Sequence, residues 1–265
     1  MISMRISPLT FLLVIIGGFA DFDAAASTPI DSDLLTPKIK VGEHFSNVFS
    51  IASSVRIPGF EELVKRNGGS ADYTVTAVTP DGSFTFHNDA VYYGQPAQHV
   101  TDVVSNGGAT DCWEGQCRTY TDASGLLYNH LLWGTAPKKL RIGVHWTVSI
   151  PQPWEMGPAG TQTVTVIGLD SPNGFVTLKR EGTASGLFAN EPAEVTLTKG
   201  EKAFKFTRTA GEAHWIGFTT FRHGIVWSDE LLVVRTDELK SNETESLTAT
   251  KRLLMLLNAA PFPTV

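Results

Sequence analysis

The sequence predicts an all-β protein with two similar antiparallel halves, which form a barrel or a paired sandwich, plus a C-terminal helix. Three observations lead to this fold class. Short stretches of alternating apolar and polar residues recur along the chain and are separated by turn residues. Segments of the first half return about a hundred residues later. The last segment instead carries leucines at helical spacing.

The N-terminal residues have the pattern of an export signal. A single charge, Arg5, precedes an apolar run over residues 9–19, and three alanines end at Ala26. The run is shorter than the roughly 20 apolar residues that span a bilayer. We expect residues 1–26 to be a cleaved signal peptide, so the mature protein is secreted or periplasmic and has no stable membrane span. Residues 27–37 are predicted to form a linker.

An internal repeat divides the remaining chain. A Gly-x-His segment at Gly42 returns at Gly143, and a Thr/Val-rich strand at residues 74–79 returns at 163–169. The repeat predicts a first β half over 38–137 and a second over 138–240. One barrel is favoured slightly over two small domains, because each half alone would have a limited core. A tandem duplication predicts matching structural settings for Gly42 and Gly143.

Two hairpins are predicted from turn chemistry. Residues 73–78 and 83–87 flank a Pro-Asp-Gly turn at 80–82, and residues 163–169 and 175–180 flank a Ser-Pro-Asn-Gly turn. Proline fixes φ and glycine accepts a positive φ at such turns. Both pairs of strands should therefore be antiparallel.

The cleanest predicted strand covers residues 140–150, where every second residue is apolar. This alternation places Trp146 on the buried face and His145 on the opposite face. Trp133 and Trp227 are also expected in the core.

The C-terminal segment predicts a helix over residues 243–258, within a helix and tail spanning 241–265. Leu247, Lys251, Leu254 and Leu257 lie on one face of a helix, and prolines follow. A helix docked on the sheet is the favoured interpretation. A membrane-surface helix is disfavoured because Lys251 and Arg252 make only a thin basic face.

The chain contains two cysteines, Cys112 and Cys117, which are separated by four residues within a sequence that suits a tight hairpin. In an oxidising compartment such a pair predicts a disulfide. A redox pair or half of a metal site are the alternatives, but the spacing suits neither.

Composition argues against some functions. The formal net charge is −6 and basic residues do not cluster, so the sequence gives no reason to expect nucleic-acid binding. Phosphate-binding and dinucleotide-binding glycine motifs and the serine-hydrolase elbow are missing from the sequence. None of the seven histidines has a second histidine at metal-site spacing. We therefore assign no catalytic, cofactor-binding or metal-binding residue and expect no cofactor.

Tryptophans in loops are the residues that most clearly suggest a function. Trp113 lies at the tip of the cysteine loop and Trp154 lies in a loop rich in proline and glycine. Exposed tryptophans on loops often contact a ligand, although they can instead cover the end of a core. Trp113, Trp154 and His145 are the candidate ligand-binding residues.

Two hypotheses follow. The favoured one is an exported, non-catalytic protein that binds an apolar or amphipathic ligand or a partner in the cell envelope. The alternative is a secreted hydrolase that cleaves an extracellular polymer with a histidine and a carboxylate. A histidine such as His44 or His145 within hydrogen-bond reach of a carboxylate would favour the enzyme.

Overall fold

A computed structural model describes residues 29–105, 108–113, 115–120, 126–241 and 245–259 of the chain. The described residues are almost entirely antiparallel β structure, which confirms the all-β prediction. The predicted signal peptide lies outside them. Among the described residues, no helix has the length and apolar character needed to cross a membrane.

The described residues form 16 strands, one short α-helix and one 3-10 turn. The 3-10 turn is Ser32–Leu35 and the helix α1 is His130–Trp133. The strands are β1 Ile30–Asp31, β2 His44–Arg56, β3 Leu63–Val78, β4 Phe84–Tyr92, β5 Gln98–Ser105, β6 Gly108–Trp113, β7 Gln116–Tyr120, β8 Lys139–Leu140, β9 His145–Ile150, β10 Gly160–Asp170, β11 Phe175–Ser185, β12 Glu194–Lys199, β13 Lys202–Thr209, β14 Glu212–Arg222, β15 Ile225–Lys240 and β16 Leu247–Ala259.

Most of these strands belong to one 14-stranded sheet with the order β7-β6-β5-β4-β3-β2-β16-β15-β14-β11-β10-β9. We call β2 to β7 the first lobe and β9 to β16 the second lobe. The hairpin β12–β13 branches from β15, and β1 pairs with β8 in a separate small sheet. The first strand of the first lobe pairs with the last strand of the second, and we call this β2–β16 ladder the seam.

The sheet does not close into the barrel that the sequence favoured. Along the described strands, the path ends at β7 on one side and at β9 on the other. Short segments outside the large sheet pack into the core of the second lobe through Leu35 of the 3-10 turn, Trp133 of α1 and Leu140 of β8. An apolar sheet face needs one covering layer, and these segments supply it.

The turns before β2 and β9 have the same structure. Gly42 and Gly143 have φ angles of 89° and 85°, which glycine adopts without strain. The Gly42 N–H donates to the Val75 carbonyl at 2.9 Å, and the Gly143 N–H donates to the Val166 carbonyl at 2.8 Å. A register shift follows directly after Val75 and after Val166. The two Gly-x-His segments therefore lie in matching local settings, although β2 is a central strand and β9 is an edge strand.

Both predicted hairpins are present as β3–β4 and β10–β11. The predicted strand 140–150 is divided, because the turn at Gly143 separates β8 from β9. Trp146 is half-buried on the inner face and donates its indole N–H to the Trp133 carbonyl at 2.6 Å. His145 is exposed on the opposite face, as the alternation predicts.

The predicted C-terminal helix is wrong. Residues 247–259 form β16, which lies between β15 and β2 at the centre of the sheet. Its inner face carries Ala249 and Leu253, and its outer face carries Leu254 and Leu256. A strand with apolar residues on both faces lacks simple alternation, so its leucines also satisfy helical spacing.

The buried residues form three clusters. The largest lies in the second lobe and includes Trp133, Trp154 and Trp215. A smaller cluster fills the first lobe around Val75 and Phe86. The third lies beneath the β12–β13 hairpin.

The two cysteines form the predicted disulfide. Cys112 on β6 and Cys117 on β7 are direct cross-strand partners, with their Cα atoms 4.1 Å apart. The bond closes the hairpin at the outer end of the first lobe.

Candidate functional site

A mostly apolar pocket lies where the two lobes meet, at one end of the seam. We call it the interlobe pocket; its volume is about 380 Å³. It is lined by Lys38, Glu43, His44, Phe45, Ser46, Asn47, Leu126, Arg222, His223, Ile225, Val226, Trp227 and Ala259. Ligand pockets of about 300–1,000 Å³ commonly combine an apolar lining with a few polar groups.

The seam and the neighbouring turn position the walls of this pocket. Asn47 on β2 pairs with Ala259 on β16, so both lobes contribute to one wall. On the opposite side, the Val226 N–H donates to the Leu126 carbonyl at 2.7 Å and ties the first-lobe connection to β15. The pocket therefore exists only where the lobes are joined.

Trp227 forms part of the rim. It was expected in the core but is 40% exposed. A register shift between β14 and β15 leaves Trp227 without a cross-strand partner, and such bulges redirect side chains. The Arg222 guanidinium lies 5.2 Å from the Trp227 ring centroid and 5.5 Å from the Phe175 ring centroid. An exposed tryptophan thus stands beside a cation at the pocket rim.

Asn47 is the most informative polar residue of the lining. It is 3% exposed, and its side-chain carbonyl oxygen has no hydrogen-bond partner among the described residues. A buried acceptor without a donor costs about 1–3 kcal/mol. A ligand hydroxyl or amide N–H at this point would supply the missing donor.

A second cavity of about 330 Å³ is lined by charged side chains, and three of them, Glu191, Asp237 and Lys251, form a paired network with the buried Arg235. Arg235 contacts Glu191 at 2.7 Å and Asp237 at 2.6 Å, and Lys251 contacts Glu191 at 2.8 Å. Burial alone would raise the pKa of Glu191, but hydrogen bonds from Arg235 and Lys251 outweigh it and lower the pKa to about 2. These charges neutralise one another and join β15, β16 and the 188–191 turn.

A further buried ion pair lies in the second-lobe core. Arg180 donates to Asp229 at 2.8 Å, and Asp229 also accepts from the Thr219 hydroxyl. The Arg180 guanidinium lies 4.9 Å from the Trp133 ring centroid. This arrangement is enclosed by core residues and faces no solvent.

Of the ligand-binding residues proposed from sequence, Trp154 is buried in the second-lobe core and His145 is exposed on β9. Trp154 is 2% exposed and packs edge-on against Trp215 at 6.3 Å. Trp113 ends β6, and its side chain lies outside the described part of the structure. His145 is exposed on the outer face of β9, and its Nδ1 is 3.4 Å from the Gly143 carbonyl oxygen.

A cluster that sequence spacing missed lies on the outer face of the first lobe. His87 and Asp89 are two residues apart on β4, and His99 on β5 is the cross-strand partner of Asp89. The Asp89 Oδ1 atom is 3.2 Å from His87 Nε2 and 2.6 Å from His99 Nδ1. The hydrogen bond with His99 is the main cause that lowers the pKa of Asp89. The sequence holds the His-x-Asp spacing, but only the strand register adds the second histidine.

No protein-family model matches this chain, and no curated protein matches it.

Proposed function

We propose that this is an exported, non-catalytic protein that binds a small amphipathic molecule in the interlobe pocket. The buried, unpartnered Asn47 carbonyl in a mostly apolar lining carries the proposal. A folded protein tolerates such a group more readily where a ligand satisfies it. The proposed ligand has an apolar body and a hydroxyl or amide donor.

The residues at the rim of the pocket indicate further properties of the ligand. Phe45, Ile225 and Val226 contribute apolar surface, and Trp227 adds a large aromatic face at the opening. Arg222 makes no ion pair with any described carboxylate. A ligand with an anionic or strongly polar end would gain a contact with this guanidinium.

Export to the periplasm or cell exterior is part of the proposal. The apolar run over residues 9–19 supports it, as does the Cys112–Cys117 disulfide, since disulfides persist in oxidising compartments. A ligand of the cell envelope would suit this location.

We also infer that the lobes descend from one duplicated β unit. The matching turns at Gly42 and Gly143 support this, as do the equivalent register shifts in β3–β4 and β10–β11. His44 pairs with Thr74 and His145 pairs with Thr165, so the equivalence extends into the strands.

The hydrolase alternative has less support. The His44 Nδ1 atom is 2.9 Å from the Thr74 hydroxyl rather than from a carboxylate, and His145 contacts a backbone carbonyl. Histidine–carboxylate contacts do occur at His87, His99 and His214, but all three histidines are exposed and none lines the interlobe pocket. A hydrolase needs such a pair beside a substrate cleft.

Replacing Ala259 with phenylalanine tests the proposal. Ala259→Phe places a ring into the pocket wall, so the affinity for 1-naphthol should fall at least about tenfold. Asn258→Phe is the matched control, because Asn258 is exposed and adjacent residues of a strand point to opposite faces. Titration of each full mature protein, followed by fluorescence, measures the affinities. Equal affinity in Ala259→Phe and wild type would refute binding in this pocket.

A second comparison tests the role of the Asn47 carbonyl. The wild-type protein should bind 1-naphthol more tightly than 1-methylnaphthalene, which has the same shape but no donor. In Asn47→Leu this preference should disappear, while the free protein keeps its fold because an unpartnered acceptor has been removed. A preference that survives in Asn47→Leu would place the ligand elsewhere.

A further inference from the structure

We propose that His87, Asp89 and His99, which we call the histidine cluster, form an open site for a divalent transition-metal ion such as Zn²⁺. Three potential ligand atoms converge there, one from each side chain, and all lie within 4.8 Å of one another. Two atoms bound to one tetrahedral zinc ion at about 2.0–2.1 Å lie about 3.4 Å apart. Small rotamer adjustments therefore bring the three atoms onto one ion.

The sheet holds these side chains on one surface. His87 and Asp89 alternate with the inward residues Phe86 and Asn88, so both point outward from β4. Their backbone is fixed between β3 and β5, which limits the reorganisation that metal binding requires. The two imidazole rings are stacked, with their planes 4° apart and their centroids separated by 6.2 Å.

A second observation indicates a cation at this place. Asp72 on β3 is the direct cross-strand partner of Asp89. Like charges directly opposite each other destabilise a sheet, since Cβ atoms of such pairs are about 5 Å apart. A bound divalent ion beside Asp89 would compensate this repulsion. Asp72 also accepts a hydrogen bond from the Ser46 hydroxyl, which orients its carboxylate on the same face.

The donor set decides which metal class the site would take. Imidazole nitrogens suit Zn²⁺, Cu²⁺, Ni²⁺ and Co²⁺, whereas Ca²⁺ and Mg²⁺ prefer oxygen ligands alone. With three protein ligands, at least one coordination position stays open to water or to a partner. The side chains of His87, Asp89 and His99 are 48%, 48% and 70% exposed, so an ion can reach them directly.

The second lobe provides an internal comparison. In the equivalent register, Thr165 pairs with Lys179 as Thr74 pairs with His87, and Glu181 pairs with Ile216 as Asp89 pairs with His99. Lys179 and Glu181 form an ion pair at 2.8 Å. A protonated lysine and an isoleucine cannot bind a metal ion, so only the first lobe has the ligands.

Calorimetric titration of the tag-free mature protein with ZnCl₂ tests this site. We expect one equivalent of Zn²⁺ to bind to the wild type, and the affinity to fall at least about tenfold in His99→Gln and in Asp89→Asn. Glu181→Gln and His145→Gln are the controls, and their affinities should equal that of the wild type. Circular dichroism of the metal-free variants confirms that each is folded, which is expected because both replaced residues are at the surface.

Cobalt gives an independent readout. Co²⁺ at a site with two imidazoles and a carboxylate produces visible absorption bands, which should be present in the wild type and absent in His99→Gln. Excess Ca²⁺ should not displace Co²⁺. Equal Zn²⁺ binding by the wild type and His99→Gln would overturn the proposal, as would no Zn²⁺ binding by either. Displacement of Co²⁺ by Ca²⁺ would overturn the metal class.

Discussion

At the scale of single residues, Glu191 has the clearest measurable consequence. Its pKa is lowered to about 2 from a usual value near 4.5, so its ionised form favours the folded state. This stabilisation is fully present above pH 4.5 and is lost as the pH falls from there towards 2. It amounts to at most about 3 kcal/mol, since one pKa unit corresponds to about 1.4 kcal/mol.

We expect the free energy of unfolding to decrease between pH 4.5 and pH 2, with a smaller decrease in Glu191→Gln. Urea denaturation at a series of pH values measures the free energy of unfolding of both proteins. At pH 7 the same variant should be destabilised by about 3 kcal/mol or more, because it leaves Arg235 and Lys251 without their shared carboxylate. Glu212→Gln is the control, since Glu212 is exposed. The same acid dependence in Glu191→Gln and wild type would contradict this account.

Some residue positions follow from the sequence and others do not. Alternation along 145–150 correctly placed His145 outside and Trp146 inside, because a strand has a fixed period of two. The expectation that Trp227 lies in the core was wrong, because its orientation depends on a bulge opposite β14. A bulge depends on the pairing partner, so β15 alone gives no sign of it.

At the scale of elements, the disulfide hairpin should contribute little to global stability. Cys112 and Cys117 are five positions apart, and they close the β6–β7 hairpin at the end of the sheet. Closing so short a loop removes chain entropy worth about 2 kcal/mol at most. The double variant Cys112→Ser/Cys117→Ser should therefore fold and lose no more than this in urea denaturation. A loss above about 4 kcal/mol, or failure to fold, would contradict this expectation.

Turn chemistry correctly predicted the two hairpins β3–β4 and β10–β11, whereas residues 247–259 were wrongly predicted to be helical. Gly82 and Gly174 have φ angles of 82° and 72°, which only glycine adopts easily, so the local sequence determines these turns. The end of the chain forms β16 because β2 and β15 offer partners on both sides. That information is non-local, as is the β4–β5 register that joins His99 to Asp89.

At the scale of the whole molecule, the two lobes differ in the size of their cores. Among the described residues, the second-lobe cluster contains three buried tryptophans and many aliphatic residues, whereas the first-lobe cluster contains six buried residues: Ile39, Val75, Phe86, Val104, Leu126 and Leu127. Both lobes bury polar pairs, Asn88 with Asp102 in the first lobe and Arg180 with Asp229 in the second. Burial of apolar area dominates stability, so the first lobe should open at a lower free energy.

Native-state hydrogen exchange tests this difference. Amides of β4 should exchange at least about tenfold faster than those of β11. The two strands are a fair comparison, because each is central and is paired on both sides. Identical exchange rates in β4 and β11 would mean that the sheet opens only as one unit.

The seam also has a kinetic consequence. Within each lobe most neighbouring strands follow one another in sequence, but β2 and β16 are the first and last long strands among the described residues. Pairing β2 with β16 closes a loop of about 200 residues, and the entropic cost of closing such a loop slows folding. The strands within each lobe should therefore pair early, and the β2–β16 ladder should form in a late, slow phase. The walls of the interlobe pocket come from both sides of the seam. The pocket would therefore be the last part of the molecule to form during folding.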